Sequence, residues 1–206
     1  MIQNYQYKRT VSLNKPIKFG FVRGPVWTFG DEDMKHGIEE FVKNVQLDIE
    51  ELDLGKDFDD AAKAHEIIMN GSIANSLMNY YQTDKSNLHP FTVKRIEAGI
   101  PVSASDYVSA IEQAKKMEQI LKQFFKKYDA VITPAAPGQA PRDLMNTGNA
   151  IFNGYWTMMG VPAISLPFLK GKDDLPIGIQ FIANWSEDLK LLEICKYILK
   201  KEKLAN

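Results

Sequence analysis

Residues 17–54 read IKFGFVRGPVWTFGDEDMKHGIEEFVKNVQLDIEELDL, and a change of hydrophobic period inside this run assigns the class of fold. Its first six residues are a β-rich run that ends at Arg23-Gly24-Pro25. Asp31, Glu32 and Asp33 then crowd a first helical turn, where carboxylates favour the exposed amides. Met34, Ile38, Phe41, Val42 and Val45 recur at spacings of four, three, one and three, which lays one apolar stripe along a helix. Leu47, Ile49, Leu52 and Leu54 predict a second strand. Strand, helix and strand at this spacing make a parallel βαβ unit with a right-handed crossover.

The pattern continues on both sides. Residues 1–10 show neither helical nor strand period and read as part of a polar tail, 1–14, ahead of one domain over 15–206. Helices are expected over 58–81 and 90–97, and over 105–128 with Ser105 as N-cap. Gly71-Ser72 is expected to be a weak point or kink in the first of these. Asp129-Ala-Val-Ile-Thr133 is a buried-looking strand halted by Pro134 and Pro137. Residues 141–148 are loop or helix entry, and 151–159 are helical. Residues 163–169 and 177–182 form a hairpin across a turn-like connection. A last helix covers 186–200. The reading is α/β, with a mixed β-sheet flanked by helices.

Composition removes several function classes. A net charge of −1 from 25 basic and 26 acidic residues leaves no electrostatic footprint for nucleic acid or an anionic membrane. Paired lysines at 126–127 and 200–201 sit at helix ends, where they complement the carbonyl dipole. No apolar run is long enough to span a bilayer, and no signal-peptide pattern opens the sequence, so a cytoplasmic protein is expected. One cysteine, Cys195, lies among Leu191, Leu192, Ile194 and Ile198 and reads as a small core residue. His36, His65 and His89 have no metal-ligand spacing, and His65 sits between apolar helical neighbours as a structural histidine. Phosphate-binding, dinucleotide and nucleophile-elbow motifs do not occur, so no cofactor or metal is expected.

An ordered series in the final third carries more information. Phe124-Phe125-x-x-Tyr128-Asp129-Ala-Val-Ile-Thr133-Pro134 is followed by Ala140-Pro141, then by Phe152-Asn153-x-x-Trp156-Thr157-x-x-Gly160-Val161-Pro162-Ala163-Ile164-Ser165-Leu166-Pro167. Leu175-Pro176-Ile177-Gly178-Ile179-Gln180-Phe181-Ile182 and Asp188 before Leu191-Leu192 complete it. This series resembles the C-terminal half of amidase-signature enzymes, a family of serine-dependent amide hydrolases. Residues 15–20, Ala64-His65-x-x-Ile68-Met69 and Gly99-Ile-Pro101 agree less sharply, so the likeness spans roughly 15–200.

The resemblance implies hydrolysis of a carbon–nitrogen bond in a small-molecule amide. Thr133 and Ala135 stand at a strand's rim, where sites on α/β sheets form. Phe152 and Trp156 are four apart and share a helix face, which suits either an acyl pocket or core packing. Thr133, Phe152, Asn153 and Trp156 are the candidate substrate-binding residues. Gln180 is assigned a structural hydrogen bond.

Members of this family use a serine nucleophile, a second serine and a lysine relay, because a hydroxyl is a poor nucleophile until a base takes its proton. Those groups come from a Gly/Ser-rich stretch and an upstream lysine, and the resemblance implies that this sequence begins where that region ends. No serine or lysine here stands in a matching motif, so no catalytic residue is assigned and the isolated chain is expected to be inactive. Three readings remain: an incomplete amidase, one subunit of a split amidase with a complementing polypeptide, or a non-catalytic module for a small ligand or protein. An unpaired sheet edge would favour a complementing chain or self-association.

Overall fold

The computed structural model describes Leu13 and residues 16–205, so the tail expected over 1–14 lies outside the described residues apart from Leu13, which packs against the core. The expected βαβ unit is present. Strand β1 (Lys18–Phe21) leads through helix α1 (Glu32–Asn44) to strand β2 (Asp48–Glu51), and the two strands pair in parallel with Phe19 opposite Ile49. Asp31 caps α1, its carboxylate accepting the Met34 amide at 2.9 Å.

The chain then leaves the sheet for α2 (Ala61–Asp84), α3 (Pro90–Gly99) and α4 (Ala104–Lys127). It returns as β3 (Ala130–Pro134), parallel to β1 on the side away from β2. Helix α5 (Ile151–Met159), strands β4 (Ala163–Lys170) and β5 (Pro176–Ile182), and helix α6 (Asp188–Ala205) follow. Among the described residues the sheet has five strands in the order β2-β1-β3-β5-β4, with β5 antiparallel to both neighbours. This is the expected mixed sheet with flanking helices.

Every residue of β3 is buried, and Phe19, Phe21, Val131, Ile132, Ile179 and Phe181 form the sheet's contribution to one core. Each such large side chain contributes about 1.5–3 kcal/mol on burial. Helices α1 and α6 pack on β4, and Phe41 of α1 stacks on Phe168 at 5.0 Å. Cys195 is buried, which pushes its thiol up to about 11 and leaves it a protonated core residue.

Local expectations needed correction at three points. The N-cap of α4 is Ser103 rather than Ser105, because Ser103 is the extended residue whose hydroxyl reaches the Asp106 amide at 3.0 Å. Pro134 is the last residue of β3 instead of lying beyond it. Gly71 does not kink its helix. Helix α2 runs unbroken through it, and the missing side chain admits the Tyr107 ring of α4, 3.0 Å from where a Cβ would stand. The Ser72 hydroxyl meets the Tyr107 hydroxyl at 2.9 Å across the same contact.

Candidate functional site

The carboxyl end of β3 positions the site. Here the chain turns out of the sheet at Ala135, whose amide donates to the Gly178 carbonyl of β5 at 3.1 Å. Two side-chain amides fasten α5 to this rim. Gln180, buried in β5, donates to the Pro134 carbonyl at 2.7 Å and to the Phe152 carbonyl at 3.0 Å. Asn153 donates to the Ala135 carbonyl at 3.0 Å. The structural role expected for Gln180 is therefore observed.

The loop from 135 to 150 is tied down over its first half. The Asp31 amide donates to the Pro137 carbonyl at 2.8 Å, and Gly138 lies against the Asp31 carboxylate with no room for a Cβ. Gln139 and Arg142 both donate to the Asp173 carboxylate, and the Asp173 amide returns a bond to Gln139 Oε1 at 3.1 Å. The Arg142 guanidinium and the Gln139 amide hold the Asp173 carboxyl below the usual range. The Lys172 amide donates to Asp33 at 2.8 Å, joining the same turn to the start of α1.

The loop's second half is built from consecutive Asx turns. Asp143, Asn146 and Asn149 each accept the backbone amide two residues on, at 2.9, 2.9 and 3.0 Å. Between them Leu144 and Met145 are 98% and 89% exposed.

Loop, α5 and the β4–β5 hairpin border a solvent-open cavity of about 770 Å³. Its polar lining comes from Gln139, Asn146, Thr147, Asn149, Asn153 and Ser165, and the remainder is alanine, glycine and proline. Gly178 belongs to the wall for a steric reason: a Cβ there would stand 2.2 Å from the Ser165 hydroxyl and 3.1 Å from Ala135. None of the lining residues is an acid, a base, a histidine or a cysteine. Such a cavity can hydrogen-bond an amide or a carbonyl, but among its lining residues it holds no group able to take a proton from a nucleophile.

Asn153 is the expected site residue that lines this space. Thr133 and Phe152 are fully buried and Trp156 is 1% exposed, so these three form the packing behind it. They bring an unusual feature. The Thr133 hydroxyl, Tyr155 hydroxyl and Trp156 indole N–H are all buried without a hydrogen-bond partner among the described residues. Burial raises the Tyr155 pKa strongly, and the nearby Thr133 and Trp156 polar groups pull it partly back without meeting hydrogen-bond geometry.

Elsewhere, a depression of about 510 Å³ at the carboxyl ends of β1 and β2 contains Arg23, Glu51, Asp53 and Asp59. Its Arg23 is engaged by Glu39 at 3.0 Å and by Glu51. A smaller cavity of about 290 Å³ among α2, α4 and α5 contains His65 with Ile68, Met69, Ile111 and Met158. Burial, and then the Arg95 cation, lower the His65 pKa. Among the described residues no group of three or more histidine, cysteine or acidic side chains is placed to hold a metal, and no helix is long and apolar enough to cross a membrane.

Sequence reasoning missed the loop's contributors. Gln139 lies between two prolines as an isolated polar residue, and its partner Asp173 is 34 positions away. Proline-flanked polarity was the available signal, but nothing local named the partner.

Comparison with known proteins agrees with this architecture. Residues 2–192 match the protein family described as Amidase. One subunit of the glutamyl-tRNA(Gln) amidotransferase of Aliarcobacter butzleri (strain RM4018) is 34% identical over 125 residues, covering 55% of this chain and 28% of that protein. A fatty acid amide hydrolase of Medicago truncatula is 34% identical over 98 residues, 41% of this chain and 16% of that protein. A crystal structure of an amidase superposes with a TM-score of 0.77 at 17% identity, covering 90% of this chain and 46% of its own. The chain thus spans well under half the length of the curated relatives it matches.

Proposed function

The chain belongs to the amidase family, and from that premise we propose that it forms the substrate-binding wall of a carbon–nitrogen hydrolase. The nucleophile and base of that enzyme are carried by a segment, of this or another polypeptide, outside the present sequence. One observation carries the reading: the 770 Å³ cavity offers amide and hydroxyl groups but no acid or base. A wall of this kind orients an acyl or amide group and supplies the donors that a developing oxyanion needs. Bond cleavage requires an activated hydroxyl brought to it. Asn153 is the proposed direct contact to substrate. Thr133, Phe152 and Trp156 set the shape of the wall from behind.

The relatives' names span one component of a tRNA-linked amidotransferase and a fatty acid amide hydrolase. The reading is therefore limited to amide substrates as a class. The test is hydrolysis of simple aryl and aliphatic amides by the purified chain, alone and with an amidase segment that bears the two serines and the lysine. No turnover alone and turnover with that segment is the expected result. Steady hydrolysis by the chain alone, abolished by replacing one of its own serines, overturns the proposal.

A further inference from the structure

The ring of His65 and the chain at Gly154 form one contact between α2 and α5. A Cβ on Gly154 would stand 2.6 Å from His65 Nδ1 and 2.8 Å from Cε1, so only glycine lets the imidazole lie on the helix backbone here. Gly154 follows Asn153, whose side chain is fixed to the Ala135 carbonyl, and Phe152, whose carbonyl is held by Gln180. We propose that His65 is a positioning residue for the cavity wall. Its uncharged ring, seated on Gly154, holds the turn of α5 that carries Asn153, and taking up a proton drives the ring off that seat. The consequence for an amide substrate rests on the reading above, whereas the seat itself does not.

Three features restrict the seat to an uncharged ring. The imidazole is half-buried and neither of its nitrogens has a hydrogen-bond partner among the described residues, so an added N–H finds no acceptor there. Gly154 stands in the first turn of α5, at the positive end of the helix dipole. The charged groups around the ring do not compensate. Glu66, on the same helix, is 63% exposed and bridged at 3.4 Å to Arg95 of α3, itself a cation. Helix α4 contributes Lys115 and Glu118, of opposite charge, and α5 contributes the uncharged Thr157 and Met158. Burial and then Arg95 accordingly hold the imidazole below its ordinary range.

A displaced ring has somewhere to go. The 290 Å³ cavity beside it is open to solvent, and its wall includes Met69 and Met158, whose unbranched side chains repack readily. An imidazolium turned into this space gains water, so seated and released positions of one side chain differ by one proton. The 770 Å³ cavity, by contrast, is lined by no titratable group, and nothing in its own lining responds to mild acid. His65 supplies that response from behind the wall. The released ring takes up its proton as pH drops below the ordinary value near 6.5, which draws the equilibrium off the seat until the seated ring also charges.

The test follows the full chain by NMR between pH 7.5 and 5, reading the His65 Cε1 proton and hydrogen exchange at residues 155–158, corrected for intrinsic rates. These amides are expected to exchange faster than those of β3, which isolates a local opening of α5. Their protection is expected to fall about tenfold over this range. H65Q, which has no proton to take up, is expected to remove the fall. G154A places a methyl on the seat and is expected to raise the His65 titration midpoint toward its ordinary value, because seat and proton oppose one another reciprocally. An α5 that opens only together with β3, a flat wild-type profile, or a fall that persists in H65Q overturns the proposal. So does a folded G154A chain whose His65 midpoint equals that of wild type, and the H65Q comparison decides by itself if G154A does not fold. No readout involves substrate, so these failures leave the proposed function standing.

Discussion

Replacing Gln180 by methionine tests the link between the buried core and the cavity wall. The substitution roughly preserves side-chain volume, so its cost is mainly polar. It removes the two donations that hold the Pro134 and Phe152 carbonyls, both from a residue that is 2% exposed. Each buried bond contributes about 0.5–1.5 kcal/mol net, and a carbonyl stranded without water costs about 1–3 kcal/mol. Phe152 lies near the start of α5, where helical geometry also offers its carbonyl the Trp156 amide, so the total falls at about 2–4 kcal/mol. With a urea m-value of about 2 kcal/mol/M, the midpoint moves down by about 1–2 M. Hydrogen exchange in the purified chain should show faster opening of 135–136 and 152–154 than of the β1–β2 pair. Q180E adds a sign. Its carboxylate faces two carbonyls in a buried site, so burial raises its folded pKa above the unfolded value of about 4.3. The penalty is greatest at neutral pH and shrinks as pH falls toward 4, where the protonated acid again has a hydrogen to donate. A Q180M stability within about 0.5 kcal/mol of wild type, with unchanged exchange at the rim, refutes the clamp.

Two further predictions concern titration. His65 is held neutral by burial and by Arg95, so its folded pKa lies below the ordinary value near 6.5. As pH drops below about 6.5 the unfolded chain takes up that proton first, and stability falls by at most about 1.4 kcal/mol per pH unit until the folded histidine also charges. Urea midpoints between pH 7 and 5 should fall less steeply in H65Q, and parallel slopes would refute the assignment. At Lys190, partial burial opposes the charge, but Glu187 and Asp129 outweigh it and raise the pKa. Its contribution is fully present below about pH 10.4 and is lost as pH rises through the folded value. K190M takes a cation at 3.1 Å away from an Asp129 side chain that is 6% exposed, and should cost about 1–3 kcal/mol by chemical denaturation at pH 7. A midpoint equal to wild type would show that Asp129's other bonds suffice.

What was readable in the sequence, and what was not, follows from the range of the interactions involved. The βαβ unit was visible because α1 buries a single stripe, Met34 and Ile38 with Phe41 and Val42 beside them, and a one-sided helix writes its period into the chain. Helix α2 is different. It packs on α3, α4 and α5, so its apolar residues point several ways and only its length was legible. The same contrast applies at the site. Asn153, Gln180 and the strand rim were named from an ordered series of motifs. The tethers that shape the cavity run between Gln139 and Asp173, Asp31 and Pro137, and Asp33 and Lys172, each joining segments remote in sequence. Thr133, Phe152 and Trp156 also show why helical spacing cannot separate a pocket wall from a core. Residues four apart share a face whichever side of that face meets solvent. The fold resolved the ambiguity by burying all three and leaving their neighbour Asn153 at the surface of the cavity. A cavity wall assembled this way is specified mainly by carbonyls and small side chains held in place by tethers remote in sequence, which is why its residue types alone did not announce it.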